Sequence, residues 1–267
     1  MTACRTLRGM PWRPWEDVLA LVELAAPSAC AGCGRAGLRW CPACAADLAG
    51  TAPRTWTPTP RPPGFPPTWA GPAYEGAVRA AVVAWKDGGR ADLTGTVLAP
   101  VLRDVLAAAL AASPDHRAAV ARGSPVALVP APSARRSTRQ RGEHRVRSLA
   151  AAAVRGAGPL RVVDVLELSR RVADQAGLGA AQRRRNLQGA VRVRPRGTPA
   201  VAGLPCVLVD DVVTTGATLS ECARALTVAR SGPVVAVTVA ATARRSRPSQ
   251  AAAPAPAGRL SVPRRAD

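Results

Sequence analysis

Short apolar, β-branched runs alternate with helical or polar segments through most of the chain. Val126–Val129, Val162–Leu166, Val207–Val209 and Val234–Val239 have strand length and strand composition. Their spacing predicts a mostly parallel α/β sheet with flanking helices. Tyr74–Lys86 and Leu93–Ala112 read as helices, the second through its Ala and Leu content, with Gly88-Gly89 as the break between them. A further helix opens after Gly216, where Leu219, Cys222, Ala223 and Leu226 fall at i, i+3, i+4 and i+7 and form one stripe for burial.

The flanks follow other rules. Between Thr51 and Pro72 stand Pro53, Pro58, Pro60, Pro62, Pro63, Pro66, Pro67 and Pro72, with neither helical nor alternating order. This predicts a semi-rigid linker over 51–72. It joins an N-terminal helix and cysteine module over 1–50 to the α/β domain over 73–243. From Arg244 to Asp267 Pro, Ala, Ser and Arg dominate without period, which predicts a disordered tail.

With 267 residues, 48% of them hydrophobic, the chain has material for one mid-sized domain and an appendage. A net charge of +20 has the size of a nucleic-acid footprint. Yet Lys86 is the sole lysine among 37 basic residues, and Ala, Arg, Pro and Gly crowd the chain as a GC-rich coding sequence would dictate. We therefore assign the charge to genome composition ahead of binding to single-stranded DNA. No run of eighteen apolar residues lacks a charge, so no membrane span is expected. Arg5, Arg8 and Arg13 precede a hydrophobic patch, but Glu16, Asp17 and Glu23 interrupt it, which fits an amphipathic helix better than a secretory signal. The expected compartment is the cytoplasm.

Four of seven cysteines follow the pattern Cys30-x-x-Cys33, seven residues, Cys41-x-x-Cys44. Paired thiolates at this spacing suit a closed, tetrahedral, structural zinc site; a pair of disulfides or a redox pair is the alternative. Cys206 and Cys222 read as small buried hydrophobes, leaving Cys4 unassigned.

The densest chemistry lies in Val207-Leu208-Val209-Asp210-Asp211-Val212-Val213-Thr214-Thr215-Gly216-Ala217-Thr218-Leu219. An apolar strand leads into two carboxylates and then into a small, hydroxyl-rich turn at a helix start. Thr214, Thr215, Gly216, Ala217 and Thr218 offer N–H groups and hydroxyls where an anion such as a 5′-phosphate is favoured. Asp210 and Asp211, at the carboxyl end of the strand, can accept hydrogen bonds from vicinal ribose hydroxyls.

These thirteen residues resemble the phosphoribosyl pyrophosphate (PRPP) signature of type I phosphoribosyltransferases. The wider chain is similar to the ComF family through the two Cys-x-x-Cys turns, Trp85-Lys86-Asp87-Gly88-Gly89, Val129-Pro130-Ala131-Pro132, Arg141-Gly142 and the block Gln175-Ala176-Gly177-Leu178 with Arg183 to Ala190. The resemblance implies a type I phosphoribosyltransferase-like, mostly parallel sheet with a zinc-binding head. It also implies PRPP with Mg²⁺ as ligand, Asp210 and Asp211 as the catalytic and ribose-binding acids, and an association with DNA uptake and competence proteins. Arg135, Arg136, Arg139 and Arg141 are the candidates for neutralising the leaving pyrophosphate, joined by Lys86, which occupies a recurrent Lys-x-x-Gly position. One departure stands out. The family usually carries Arg-Gly-Phe-Asn-Gln where this chain reads Arg141-Gly142-Glu143-His144-Arg145. Glu143 would repel a pyrophosphate while His144 and Arg145 would attract it, although His144 by itself reads as a solvated surface residue. The competing description is a non-catalytic, DNA-binding accessory protein. All eight aromatic residues lie between Trp12 and Trp85, so any base-stacking ring must come from that half, with Trp69, Tyr74 and Trp85 as candidates.

Overall fold

A computed structural model describes residues 29–49, 51–132, 144–169 and 187–243. The N-terminal helix, the Arg135–Arg141 cluster, the segment Gln175–Asn186 and the tail from Arg244 lie outside those residues.

In chain order the elements are α1 (Pro42–Ala49), β1 (Arg54–Thr55), β2 (Thr68–Ala70), α2 (Gly76–Lys86), a π-turn (Thr94–Leu98) running into α3 (Ala99–Ala112), α4 (Pro114–Ala121), β3 (Val126–Pro130), α5 (Arg145–Ala153), β4 (Leu160–Val162), β5 (Leu166–Leu168), β6 (Val191–Val193), β7 (Cys206–Val213), α6 (Ala217–Val228) and β8 (Val234–Ala241). Six strands form one sheet in the order β1-β2-β8-β7-β3-β4, with every pairing parallel except β1 with β2. β5 and β6 make a separate antiparallel hairpin.

This is the mixed, mostly parallel α/β architecture that the apolar runs predict. β3, β7 and β8 are near-continuous Val, Leu and Ala because helices cover both faces of a parallel sheet. On one face Trp85, Leu93, Leu102, Leu149, Val207 and Val237 share a core with α2, α3 and α5. On the other, Leu208, Leu219, Cys222 and Leu226 pack between the sheet and α6, as the helical stripe requires.

Several expectations change. The proline-rich stretch 51–72 is built into the domain: Thr68–Ala70 pairs in parallel with Ala236–Thr238, and Trp56 and Phe65 are buried against each other with centroids 6.1 Å apart. Pro66, Pro67 and Pro72 are tolerated because they flank the strand near the sheet edge and need not donate. Val162–Leu166 divides in two, since the chain leaves the sheet after β4 and turns at Asp164 into the hairpin. Pro100, near the start of α3, cannot donate to the preceding turn, and a π-turn takes the place of regular helix there. Thr94–Ala112 is long and apolar enough to cross a membrane by length and composition. Its Leu98, Leu102, Val105 and Ala109 nevertheless lie in the protein core, and Arg103 on it donates to the Ala153 carbonyl.

His116 on α4 is fully buried, with Nδ1 2.8 Å from Ser113 Oγ and Nε2 3.1 Å from the Cys206 carbonyl. Because the carbonyl can only accept, Nε2 carries the proton and donates. Burial pushes the His116 pKa down, despite the opposing pull of the Cys206 carbonyl. A histidine with a depressed folded pKa takes up its proton first in the unfolded chain, so its stabilising effect is present at neutral pH and lost as pH falls below about 6.5. Urea denaturation at pH 7.5 and 5.5 should show a larger loss for the wild type than for His116→Gln; equal losses would refute this assignment.

Candidate functional site

The site forms where β7 gives way to α6 at the carboxyl end of the sheet. β7 does not stop at Val209: Asp210, Val212 and Val213 continue the ladder opposite Thr238, Ala240 and Ala241. The two acids therefore lie within the strand, with their carboxylates close enough to interact directly. Asp210 is half-buried, and its charge acts on both Lys86 and Cys222. Asp211 is 3% exposed and faces α2, where Lys86 Nζ lies 2.5 Å from its Oδ2. This is a close ion pair between a buried carboxylate and a half-exposed amine. Asp210 Oδ1 accepts from the Asp211 N–H at 2.9 Å, and Asp211 Oδ1 from the Val212 N–H at 2.7 Å.

Electrostatics separate the two acids. Burial, and then the neighbouring Asp211 charge, push the Asp210 pKa up to about 7, with Lys86 pulling it down. Burial works against the Lys86 charge, but Asp211 and Asp210 outweigh it and raise its pKa. Lys86, expected at a pyrophosphate, is thus committed to Asp211.

After Val213 the chain forms the expected small turn. Gly216 is the N-cap residue of α6, in left-handed backbone (φ 73°) and without a side-chain cap hydrogen bond. Thr215 Oγ1 accepts from the Ala217 N–H at 3.5 Å, and the first intrahelical bond runs from the Ser220 N–H to the Gly216 carbonyl. The first-turn N–H groups of Thr218 and Leu219 have no partner within the helix, which is the arrangement that favours an anion.

Phe65, from the proline-rich stretch, closes the back of this turn. A Cβ on Gly216 would come within 2.6 Å of the Phe65 ring and 3.1 Å of Pro58. Both the positive φ and the ring demand glycine. Gly216→Ala should cost about 2–3 kcal/mol, and Phe65→Ala in the same chain should recover only the steric part. Thermal denaturation of the two single variants and the double variant checks this; a Gly216→Ala protein as stable as the wild type would contradict it.

Other groups meet at the same end of the sheet. Arg145, at the start of α5, donates to the Trp85 carbonyl and stacks on the Trp85 ring at 6.0 Å. On the opposite flank Glu221 and Arg224 pair at 2.7 Å and grip the Val191 N–H and carbonyl, tying the β5–β6 hairpin to α6. A pocket of about 680 Å³ runs along α6 between Pro63, Gly64, Gln188, Ser220 and Arg224. No aromatic ring among the described residues lines it. Trp85 is core, donating to Thr94 Oγ1 at 2.8 Å, and Trp69 and Tyr74 pack against that core. Phe65, His116 and the Glu221–Arg224 clamp carry no signature in the sequence beyond residue type.

The four cysteines form a second centre. Cys30, Cys33, Cys41 and Cys44 bring their sulfurs within 4.8 Å of one another, a group that could hold a metal ion such as zinc. Cys30 and Cys44 are 3.8 Å apart, and Cys33 and Cys41 3.6 Å. A tetrahedron with Zn–S bonds of about 2.3 Å has edges of about 3.8 Å, whereas a disulfide needs about 2.05 Å. The spacing fits zinc. Burial would raise the Cys30 pKa, but the N–H groups of Cys33, Cys41 and Gly32 bring it down to about 6, the thiolate form that a metal requires. The Cys41 N–H donates to Cys30 Sγ at 3.3 Å. Gly32 has no room for a side chain, since a Cβ would lie 2.7 Å from Cys44 Sγ and 2.9 Å from the Trp40 ring.

Compared with known proteins, the chain matches no family model and no curated protein.

Proposed function

We propose that this chain is a ComF-like phosphoribosyltransferase that binds PRPP with Mg²⁺ and transfers its phosphoribosyl group to an acceptor nucleophile. The observation that carries the reading is the junction of β7 and α6, which sets a titratable carboxylate, Asp210, one short turn from the N-terminus of a helix. A ribose and a phosphate on one molecule satisfy both. Asp210 accepts from the ribose hydroxyls, the Thr214–Thr218 turn holds the 5′-phosphate, and Lys86 compensates the buried Asp211 charge beneath them.

In the transfer the bond from C1 to pyrophosphate breaks as the acceptor's bond to C1 forms, and the acceptor's proton leaves to water. Mg²⁺ entering with PRPP, a hard cation that prefers phosphate and carboxylate oxygens, would supply charge neutralisation at the pyrophosphate. Arg145, which donates to the carbonyl of Trp85 next to Lys86, is a second described cation near that end of the sheet. Arg135, Arg139 and Arg141 lie outside the described residues.

Calorimetric titration of Mg²⁺-PRPP into the zinc-loaded protein tests the reading. Replacing both acids, Asp210→Asn with Asp211→Asn, removes the charged acceptor of the ribose, worth about 1.5–3 kcal/mol, so affinity should fall at least about tenfold. A folded wild type that binds no PRPP would overturn the proposal.

A further inference from the structure

We infer that Arg90 is a positioning residue that fastens the Cys4 module to the end of α2 and through it holds Lys86 against Asp211. The guanidinium makes a forked contact with both flanks of the module: Nη1 donates to the Ala29 carbonyl, beside Cys30, and Nη2 to the Arg39 carbonyl, close to Cys41, each at 3.1 Å. Its Nε and Nη2 also grip Asp92 at 2.9 and 3.0 Å. Asp92 in turn lies 3.6 Å from Arg39. The backbone N–H of Arg90 donates to the Ala84 carbonyl in the last turn of α2, and Thr94, just beyond, receives the Trp85 ring N–H. Ala84 and Trp85, the two residues just before Lys86, are therefore each tied to the same short segment.

The other end of α2 also meets the module. Ala77 packs on the cysteine cluster, with a Cβ on Gly32 placed 3.1 Å from it. From Ala77 to Lys86 the helix spans about 14 Å, so a rigid rod runs from the metal centre to the carboxylate, pinned at both ends. A shift of the module is passed to Lys86, and the charge balance at Asp211 and Asp210 shifts with it. By linkage, a ligand that favours the paired Lys86 also favours the seated module. The ligand part of this inference rests on the PRPP reading; the link between module and Lys86 does not.

The chain itself supplies the probe, because Lys86 is its sole lysine. Protein labelled with carbon-13 at lysine Cε gives one lysine resonance, and its pH titration reports Lys86, faced by Asp211, Asp210 and Tyr74. We would record it for the zinc-loaded wild type, for Arg90→Met and Arg90→Lys, and for wild type after chelation, alongside Mg²⁺-PRPP calorimetry. The wild type is expected to titrate above the ordinary lysine value of about 10.4. Arg90→Met and chelated wild type should return towards that value and bind PRPP at least about fivefold more weakly. Arg90→Lys should not rescue, since an ammonium cannot fork across two carbonyls and a carboxylate. A Lys86 titration unchanged in folded Arg90→Met, or unchanged by chelation should that variant fail to fold, overturns the inference. If Lys86 responds to Arg90 while no protein binds PRPP, the positioning role holds and the ribose-phosphate reading fails.

Discussion

One zinc ion per chain, lost together with the folded structure of residues 29–49 when Cys41 becomes serine, is the expected result for the Cys4 module. Cys41 is fully buried, and the module's own core consists of three buried cysteines with Trp40 and Ala77 beside them. α1 has eight residues, too few to hold a helix in water without tertiary support. Metal binding in small thiolate sites is worth about 10–16 kcal/mol and is inseparable from their folding. The α/β domain has two large apolar clusters of its own and should stay folded. Metal analysis should therefore fall from one zinc to none, near-ultraviolet dichroism from Trp40 should vanish, and far-ultraviolet dichroism should change little. Gly32→Ala should be intermediate, because its methyl must displace Cys44 Sγ or the Trp40 ring; overpacking costs about 1–3 kcal/mol, or roughly five- to 150-fold in metal affinity. A Cys41→Ser protein that keeps zinc and its melting curve would refute the structural role.

Much of this centre is legible in the sequence because its ligands are local. Two Cys-x-x-Cys turns close on each other within one short stretch, so spacing alone brings the sulfurs together. The β7–turn–α6 unit is legible for the same reason, down to the buried stripe of Leu219, Cys222, Ala223 and Leu226. The pair between Lys86 and Asp211 is not, because it joins residues from distant parts of the chain through the packing of α2 on the sheet. Nor is the placement of both acids within the strand, which depends on β7 running four residues past Val209 alongside β8. The proline-rich stretch misleads because β2 is three residues long and hemmed in by prolines. No alternation can show in so short a run, and only its neighbour β8 makes it a strand.

Lys86→Met should be among the most damaging single changes in the α/β domain, and it should move the pH response of the site. It leaves the Asp211 carboxylate, 3% exposed, without its counter-ion. Removing one partner of a fully buried pair costs about 3–5 kcal/mol; with Lys86 half-exposed, about 2–3 kcal/mol is the reasonable expectation. Asp211→Asn should cost less, since a half-exposed amine can turn to water. The double variant should lose well under the sum of the two single losses, the signature of a coupled pair. The pH effect follows from Asp210. With a folded pKa of about 7, the native protein keeps a proton that the unfolded chain has lost, so Asp210 subtracts from stability as pH rises from about 4 to about 7. Ribose hydroxyls need the carboxylate, so PRPP affinity should climb as pH passes through about 7. Lys86 draws the Asp210 pKa down, and Lys86→Met should move the midpoint of that climb to higher pH. Calorimetric titrations of both proteins from pH 6 to 9, compared pairwise so that ionisation of the ligand cancels, measure the displacement. A midpoint that stays in place, or moves to lower pH, would mean that Lys86 does not govern the charge on Asp210.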